Sequence, residues 1–254
     1  MKKALAFAAA VALLTGSASA QTILYLDFDQ ASDLAPQSDG TSYSISSTSV
    51  ENSSAFNVGP FTYTFRNNGG DGPEIADPPS GLSGTSQGGK VLLTDSGNGQ
   101  DEGLLFEATN GLLQDVTIEA VWFTSDPTGG SNTANIQSIL GNEWPFGEGT
   151  QLFMRTVGAD RFDYWTDRGD SDGENVQITG SGVNAANTWY HDVMVYDYNE
   201  SDPANSTIEG FRNGVSQGTT TYDATNASVT LFPLDNTETR SMAVGFHNSL
   251  DAGP

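Results

Sequence analysis

The chain has 254 residues, with 32 Asp and Glu against 9 Lys and Arg, a formal net charge of −23, and no cysteine. A chain this acidic repels nucleic-acid backbones and anionic lipid, whose binding depends on Lys and Arg displacing counterions. The missing cysteine excludes disulfides, thiol nucleophiles and thiolate metal sites together. Met1 to Ala20 opens with Lys2 and Lys3, continues as an apolar run from Ala4 to Leu14, and ends in Ala18-Ser19-Ala20. That is the three-part pattern of a secretory signal peptide, and the run is shorter than the about 20 apolar residues of a spanning helix. Cleavage would leave 234 residues from Gln21, with 7 basic against 32 acidic side chains and a net charge near −25. No second stretch of spanning length follows, so no membrane insertion of the mature chain is expected, and multivalent cations or uncharged partners are favoured.

Beyond Ala20 the apolar segments are short and bounded by Gly, Ser, Thr, Asn, Asp and Pro, the signature of an all-β sandwich or barrel. Predicted strands are Ile23–Phe28, Phe61–Arg66, Lys90–Thr94, Gly103–Glu107, Val116–Phe123 and Gln137–Gly141. Further ones are Gln151–Thr156, Phe162–Trp165, Trp189–Tyr198, Ser206–Arg212, Val229–Leu231 and Ser241–His247. Alternation is clearest in Thr117–Phe123 and His191–Asp197. Residues 31–54 are polar and read as a long loop or an inserted hairpin. Asn213-Gly214 lies between two extended runs and signals a type I′ hairpin, whose central residues both need positive φ. One β domain over 21–254 is expected.

Several segments, in order, resemble the LamG-like members of the concanavalin A-like lectin/glucanase superfamily. Leu24-Tyr25-Leu26-Asp27-Phe28-Asp29 looks like the opening strand, and Gly89-Lys90-Val91-Leu92-Leu93 like the strand after the first variable stretch. Leu113-Gln114-Asp115-Val116-Thr117-Ile118-Glu119-Ala120-Val121-Trp122, Thr188-Trp189-Tyr190-His191-Asp192-Val193-Met194-Val195 and Ile208-Glu209-Gly210-Phe211-Arg212-Asn213-Gly214 are similar to two later family strands and a hairpin. Ser241-Met242-Ala243-Val244-Gly245 resembles a further one. The resemblance implies a two-sheet antiparallel jelly-roll β-sandwich, with Trp122 and Trp189 packed in the core and His191 at a structural position. It also implies a secreted recognition or adhesion module, with a glycan or an extracellular-matrix or cell-surface component as partner. The family's closing strand has no counterpart before Pro254, so a missing C-terminal strand is expected.

Enzymes of that superfamily use closely spaced carboxylates on one strand, and a retaining glycosidase needs two carboxyl groups about 5–5.5 Å apart. No E-x-D-x-x-E run occurs: Glu74 and Asp77 are three residues apart before Pro78-Pro79, Glu119 stands alone, and Glu143 and Glu148 flank a loop. Carboxylates brought from separate strands stay open as an alternative. Gly84-Thr85-Ser86-Gln87-Gly88 matches G-x-S-x-G but lacks the strand before and helix after that a nucleophile elbow requires. Calcium is the more plausible ion, because it is held by six to eight oxygens of carboxylates, amides and carbonyls. The acidic turn 167–175 offers Asp170, Asp172 and Glu174 as candidate ligands, and the resemblance implies calcium beside the ligand surface. The alternative is a solvated acidic turn. Asp95, Asp101 and Glu102 form a second acidic cluster.

Sugar binding needs a flat ring for the pyranose C–H face and amide or charged partners for its hydroxyls. Trp144 lies in a loop with Asn142 and Glu143, and Trp165 lies near Arg161 and Asp163. Tyr164 and Trp165 are strand neighbours pointing to opposite faces, so one of them should reach the surface. Asn142, Glu143, Trp144, Arg161, Asp163 and Trp165 are therefore the candidate ligand platform. The alternative is that these side chains cap the sandwich edges.

Overall fold

A computed structural model describes residues 24–25, 35–38, 40–42, 50–51, 61–68, 72–77, 91–94, 101–108, 116–125, 136–141, 151–167, 174–199, 201–223 and 242–245. In chain order the strands are β1 (Leu24–Tyr25), β2 (Val50–Glu51), β3 (Phe61–Asn68), β4 (Glu74–Ala76) and β5 (Val91–Leu93). They continue as β6 (Asp101–Ala108), β7 (Val116–Thr124), β8 (Ile136–Gly141), β9 (Gln151–Val157) and β10 (Arg161–Asp167). The last five are β11 (Glu174–Thr179), β12 (Thr188–Asp197), β13 (Ser206–Arg212), β14 (Val215–Tyr222) and β15 (Met242–Val244). Among the described residues the only helical element is the short 3-10 turn Pro203–Asn205, and no helix is long and apolar enough to cross a membrane.

Among the described residues every strand pair is antiparallel. One sheet runs β11-β10-β9-β8-β15-β6-β3 and a second runs β14-β13-β12-β7; β1-β2 and β4-β5 form two small ribbons. The two large sheets share one apolar core. Phe65, Leu104, Leu152, Met154, Phe162, Tyr164 and Val176 come from the seven-stranded sheet, and Ile118, Trp122, Tyr190, Met194, Tyr196 and Ile208 from the four-stranded sheet. Period-2 alternation puts every second residue of β12, from Tyr190 to Tyr196, into that core. Each fully buried apolar side chain contributes roughly 1.5–3 kcal/mol, so this layer is the main source of stability. The expected all-β class is what the chain adopts.

Eleven of the twelve predicted strands fall on observed ones. Val229–Leu231 lies outside the described residues. The Asn213-Gly214 hairpin is as expected: φ is 52° at Asn213 and 77° at Gly214. Asn213 also ties the turn to β12, its N–H donating to the His191 carbonyl at 2.7 Å and its Oδ1 accepting from the His191 N–H at 3.0 Å. Gly210 meets a different demand. A Cβ there would stand 2.3 Å from the Tyr164 ring, so the sheets approach this closely at β10 and β13 only because residue 210 has no side chain.

Two expectations need correcting. Trp189 is not a core residue. It shares the outer face of the four-stranded sheet with His191 and Val193, is half-buried, and packs on Phe123 at 4.7 Å between ring centroids. The interior position beside it belongs to Tyr190, and the next interior position to Asp192. The acidic turn is also shorter than expected, because Glu174–Thr179 forms the edge strand β11.

Candidate functional site

β9 and β10 form a hairpin through Gly158-Ala159-Asp160, with φ of 64° at Gly158. Their even-numbered residues Leu152, Met154, Phe162 and Tyr164 enter the core. Period 2 then sends the odd-numbered residues to the outer face of the seven-stranded sheet. Cross-strand register arranges that face in rows. Phe153, Trp165 and Asn175 share one row, Arg155, Asp163 and Gln177 the next, and Arg161 pairs with Thr179 beyond them.

The Trp165 indole stacks on Phe153 at 5.9 Å and 22°, and the Arg155 guanidinium sits 4.6 Å from the Trp165 ring centre. Such a cation over an indole face is attracted to the ring and holds it in place. Trp165 remains half-buried, while Tyr164, its neighbour in sequence, is fully buried on the other face. On β11 Asn175, opposite Trp165, is half-buried, and Gln177 and Thr179, one and two rows on, are exposed. Asp163 is fully buried between two arginines. Arg155 Nε donates to its Oδ2 at 3.1 Å, and Arg161 gives a fork, Nε to Oδ1 at 2.6 Å and Nη2 to Oδ2 at 2.8 Å. Asp163 therefore holds the arginines in position and offers no free carboxylate to a ligand.

A second Arg–Asp assembly lies inside the sandwich. Arg212 donates from Nε and Nη2 to the two oxygens of Asp192 at 2.9 and 3.0 Å. The Trp122 indole N–H donates to Asp192 at 2.7 Å, and the Tyr164 hydroxyl lies 2.5 Å from the same carboxylate and 2.7 Å from the Phe211 carbonyl oxygen. Arg212 Nη1 donates to the Val183 carbonyl and to Asn184 Oδ1. The rings of Phe162, Tyr190 and Trp122 close over the guanidinium. Burial, and then the Asp192 charge, push the Tyr164 hydroxyl well above the usual phenol range.

Asn184 joins the two assemblies. Fully buried, it donates from Nδ2 to the carbonyls of Gly158 and Arg161 at 2.8 and 2.7 Å, while its Oδ1 accepts from Arg212. The interior ion pair thus braces the turn from which Arg161 projects.

Of the six platform residues, the structure brings Arg161, Asp163 and Trp165 onto one sheet face, whereas Asn142, Glu143 and Trp144 lie outside the described residues. Of the three candidate calcium ligands, Asp170 and Asp172 also lie outside them. Glu174 is exposed at the start of β11, opposite Thr166 and on the register of Val176 rather than that of Asn175 and Gln177. Among the described residues no three acidic or histidine side chains group to hold a metal, so Glu174 alone represents that candidate site. The sequence reading missed Arg155, Phe153, Asn175 and Gln177. Their signal was strand parity: each shares a face with Trp165 or Asp163 once the hairpin register is known. His191 and Glu119 meet at 2.6 Å on the exposed face of the other sheet, far in the fold from these residues.

No protein-family model and no curated protein sequence matches the chain.

Proposed function

We propose that the chain is an exported, non-catalytic recognition module that binds carbohydrate on the outer face of β9, β10 and β11. The observation that carries this reading is the half-buried indole of Trp165, held against Phe153 and Arg155, with Asn175 in its row and Gln177 and Arg161 in the rows beyond. A fixed aromatic face suits sugar C–H groups, and amide and guanidinium donors suit hydroxyls. A rigid sheet is also a better mount for such a site than a loop. The signal-peptide pattern of residues 1–20 supports export. The antiparallel sandwich agrees with the jelly-roll, LamG-like architecture that the sequence resembles, and on that reading the partner is a glycan of a matrix or cell surface.

The non-catalytic part of the proposal rests on Asp163. Both of its oxygens accept from guanidinium groups, which leaves it poorly suited to the acid or base role of a glycosidase. Calcium, held by Asp170, Asp172 and Glu174, is a further part of the proposal. The test is a glycan-array screen of Gln21–Pro254, in calcium and again with chelator, on monodisperse protein. Binding is expected, and its loss in chelator would assign calcium to the site. A folded, monodisperse sample that binds no glycan would overturn the carbohydrate reading and favour a structural surface protein.

A further inference from the structure

We infer that the ligand is a linear oligosaccharide lying along β10 and β11, with one unit on the Trp165 ring and about three consecutive units needed to reach Arg161 and Thr179. This deepens the carbohydrate reading and rests on it. Exposure sets the direction. In the row that crosses the sheet through Trp165, Phe153 is 1% exposed, and in the next row the Arg155 side chain is 12% exposed. The β9 side of the ring therefore offers little surface to a second sugar. On the other side Asn175 is half-buried, Gln177 and Thr179 are exposed, and the Arg161 side chain is 35% exposed. Among the described residues β11 is the edge of the sheet, so a chain longer than one unit gains contacts by running with the strands and not across them.

Hydrogen-bonding capacity follows the same lane. Register sets Trp165 opposite Asn175, Asp163 opposite Gln177 and Arg161 opposite Thr179. These three rows span about 13 Å by strand rise, more than one pyranose ring covers. Among the described residues, the side chains of Asn175, Gln177 and Thr179 bond to no neighbour. Arg161 gives Nε and Nη2 to Asp163 and keeps Nη1. Each row thus carries a group that can bond a sugar hydroxyl: the two amides and the Thr179 hydroxyl both donate and accept, and the guanidinium N–H donates.

The surface turn between β12 and β13 shows the opposite use of polar side chains. There Asn199 accepts from Ser201 and from the Asp202 N–H, Asn205 donates to Asp202, and Ser206 donates to the Pro203 carbonyl, so these groups are spent on the turn itself. Along β10 and β11 the backbone ladder fixes the strands, and the side chains of Asn175, Gln177 and Thr179 are left over. A rigid strand pair sets such groups at fixed intervals, which suits a repeating ligand better than a single terminal sugar.

The test uses ladders of cello-, xylo-, manno-, laminari- and chito-oligosaccharides, from monosaccharide to hexasaccharide. Binding is measured by calorimetry for the wild-type chain, Trp165→Ala and Thr179→Ala, with thermal melts to confirm folding. In at least one ladder the wild-type affinity is expected to rise about tenfold or more from monosaccharide to trisaccharide and then to level off. Trp165→Ala should weaken every length. Thr179→Ala should weaken the trisaccharide and longer members by about twofold to tenfold and leave the monosaccharide unchanged. If a variant fails to fold, the length dependence of the wild-type chain decides. Affinity that is flat with length overturns the lane while leaving the carbohydrate reading in place, and so does a Thr179→Ala effect that is absent, or equal at every length. A glycan array that is positive while every ladder stays silent has the same meaning. An array and ladders that are silent together overturn both.

Discussion

Asp192 and Asp163 are both fully buried carboxylates gripped by arginine, yet they lie on opposite sides of one sheet and are built to different rules. Around Asp192 everything closes. One arginine faces one carboxylate, its remaining donors go to Val183 and Asn184, and three aromatic rings cover it. Asp163 accepts from two arginines, and the outer one, Arg161, is a third exposed. A balanced, sealed ion pair orders a core, because a buried charge that is not paired is costly. A partly exposed arginine such as Arg161 keeps a donor, Nη1, within reach of solvent. The difference separates residues that hold the sandwich from those that, on the proposed reading, meet a ligand.

The largest expected effect sharpens that contrast directly. Asp192→Ala leaves Arg212 buried without a counter-charge and should destabilise the chain by about 3–5 kcal/mol, read by urea or guanidinium unfolding. Asp163→Ala should cost less, about 1–2 kcal/mol, because water can reach Arg161. Equal losses would break the comparison. Trp165→Ala should weaken glycan binding by roughly 2 kcal/mol, about thirtyfold, with little change in the melting temperature. Gly210→Ala forces a methyl against the Tyr164 ring and should cost about 1–3 kcal/mol without touching the binding face.

The alkaline limb tests the interior assembly by another route. Tyr164 holds its proton more tightly in the folded chain than in the unfolded one, where a phenol titrates near pH 10. The stabilisation is complete below that pH and is lost as pH rises through the raised folded value, because the unfolded state ionises first. Melting temperature should therefore fall above about pH 10, and Tyr164→Phe should make that fall shallower. The smallest effect belongs to the exposed pair Glu119–His191. Glu119→Gln should change stability by less than about 1 kcal/mol, as measured by chemical unfolding.

Much of the sandwich was legible because its strands are short apolar runs bounded by turn formers, and β7 alternates cleanly. β11 was obscured by the acidic run before it. Only Val176 and Ile178 mark its inner face, too few to stand out beside Asp170, Asp172 and Glu174. Trp189 was assigned to the wrong face for a related reason. The interior register of β12 carries Asp192 and the outer register carries Trp189, Val193 and Val195, so polarity does not reveal which side faces in. Trp165 was found from its adjacency to Tyr164, whereas Arg155 was not. Arg155 meets Asp163 only through hairpin register across the Gly158–Asp160 turn, a relation that is not visible in a linear pattern.

The most direct measurement is a side-by-side glycan array of the wild-type chain and Trp165→Ala, with equal melting temperatures established first. The expected result is a defined set of glycans bound by the wild type and lost or strongly weakened in the variant. Glycan binding that Trp165→Ala leaves intact would contradict the assignment of the site to the outer face of β9, β10 and β11.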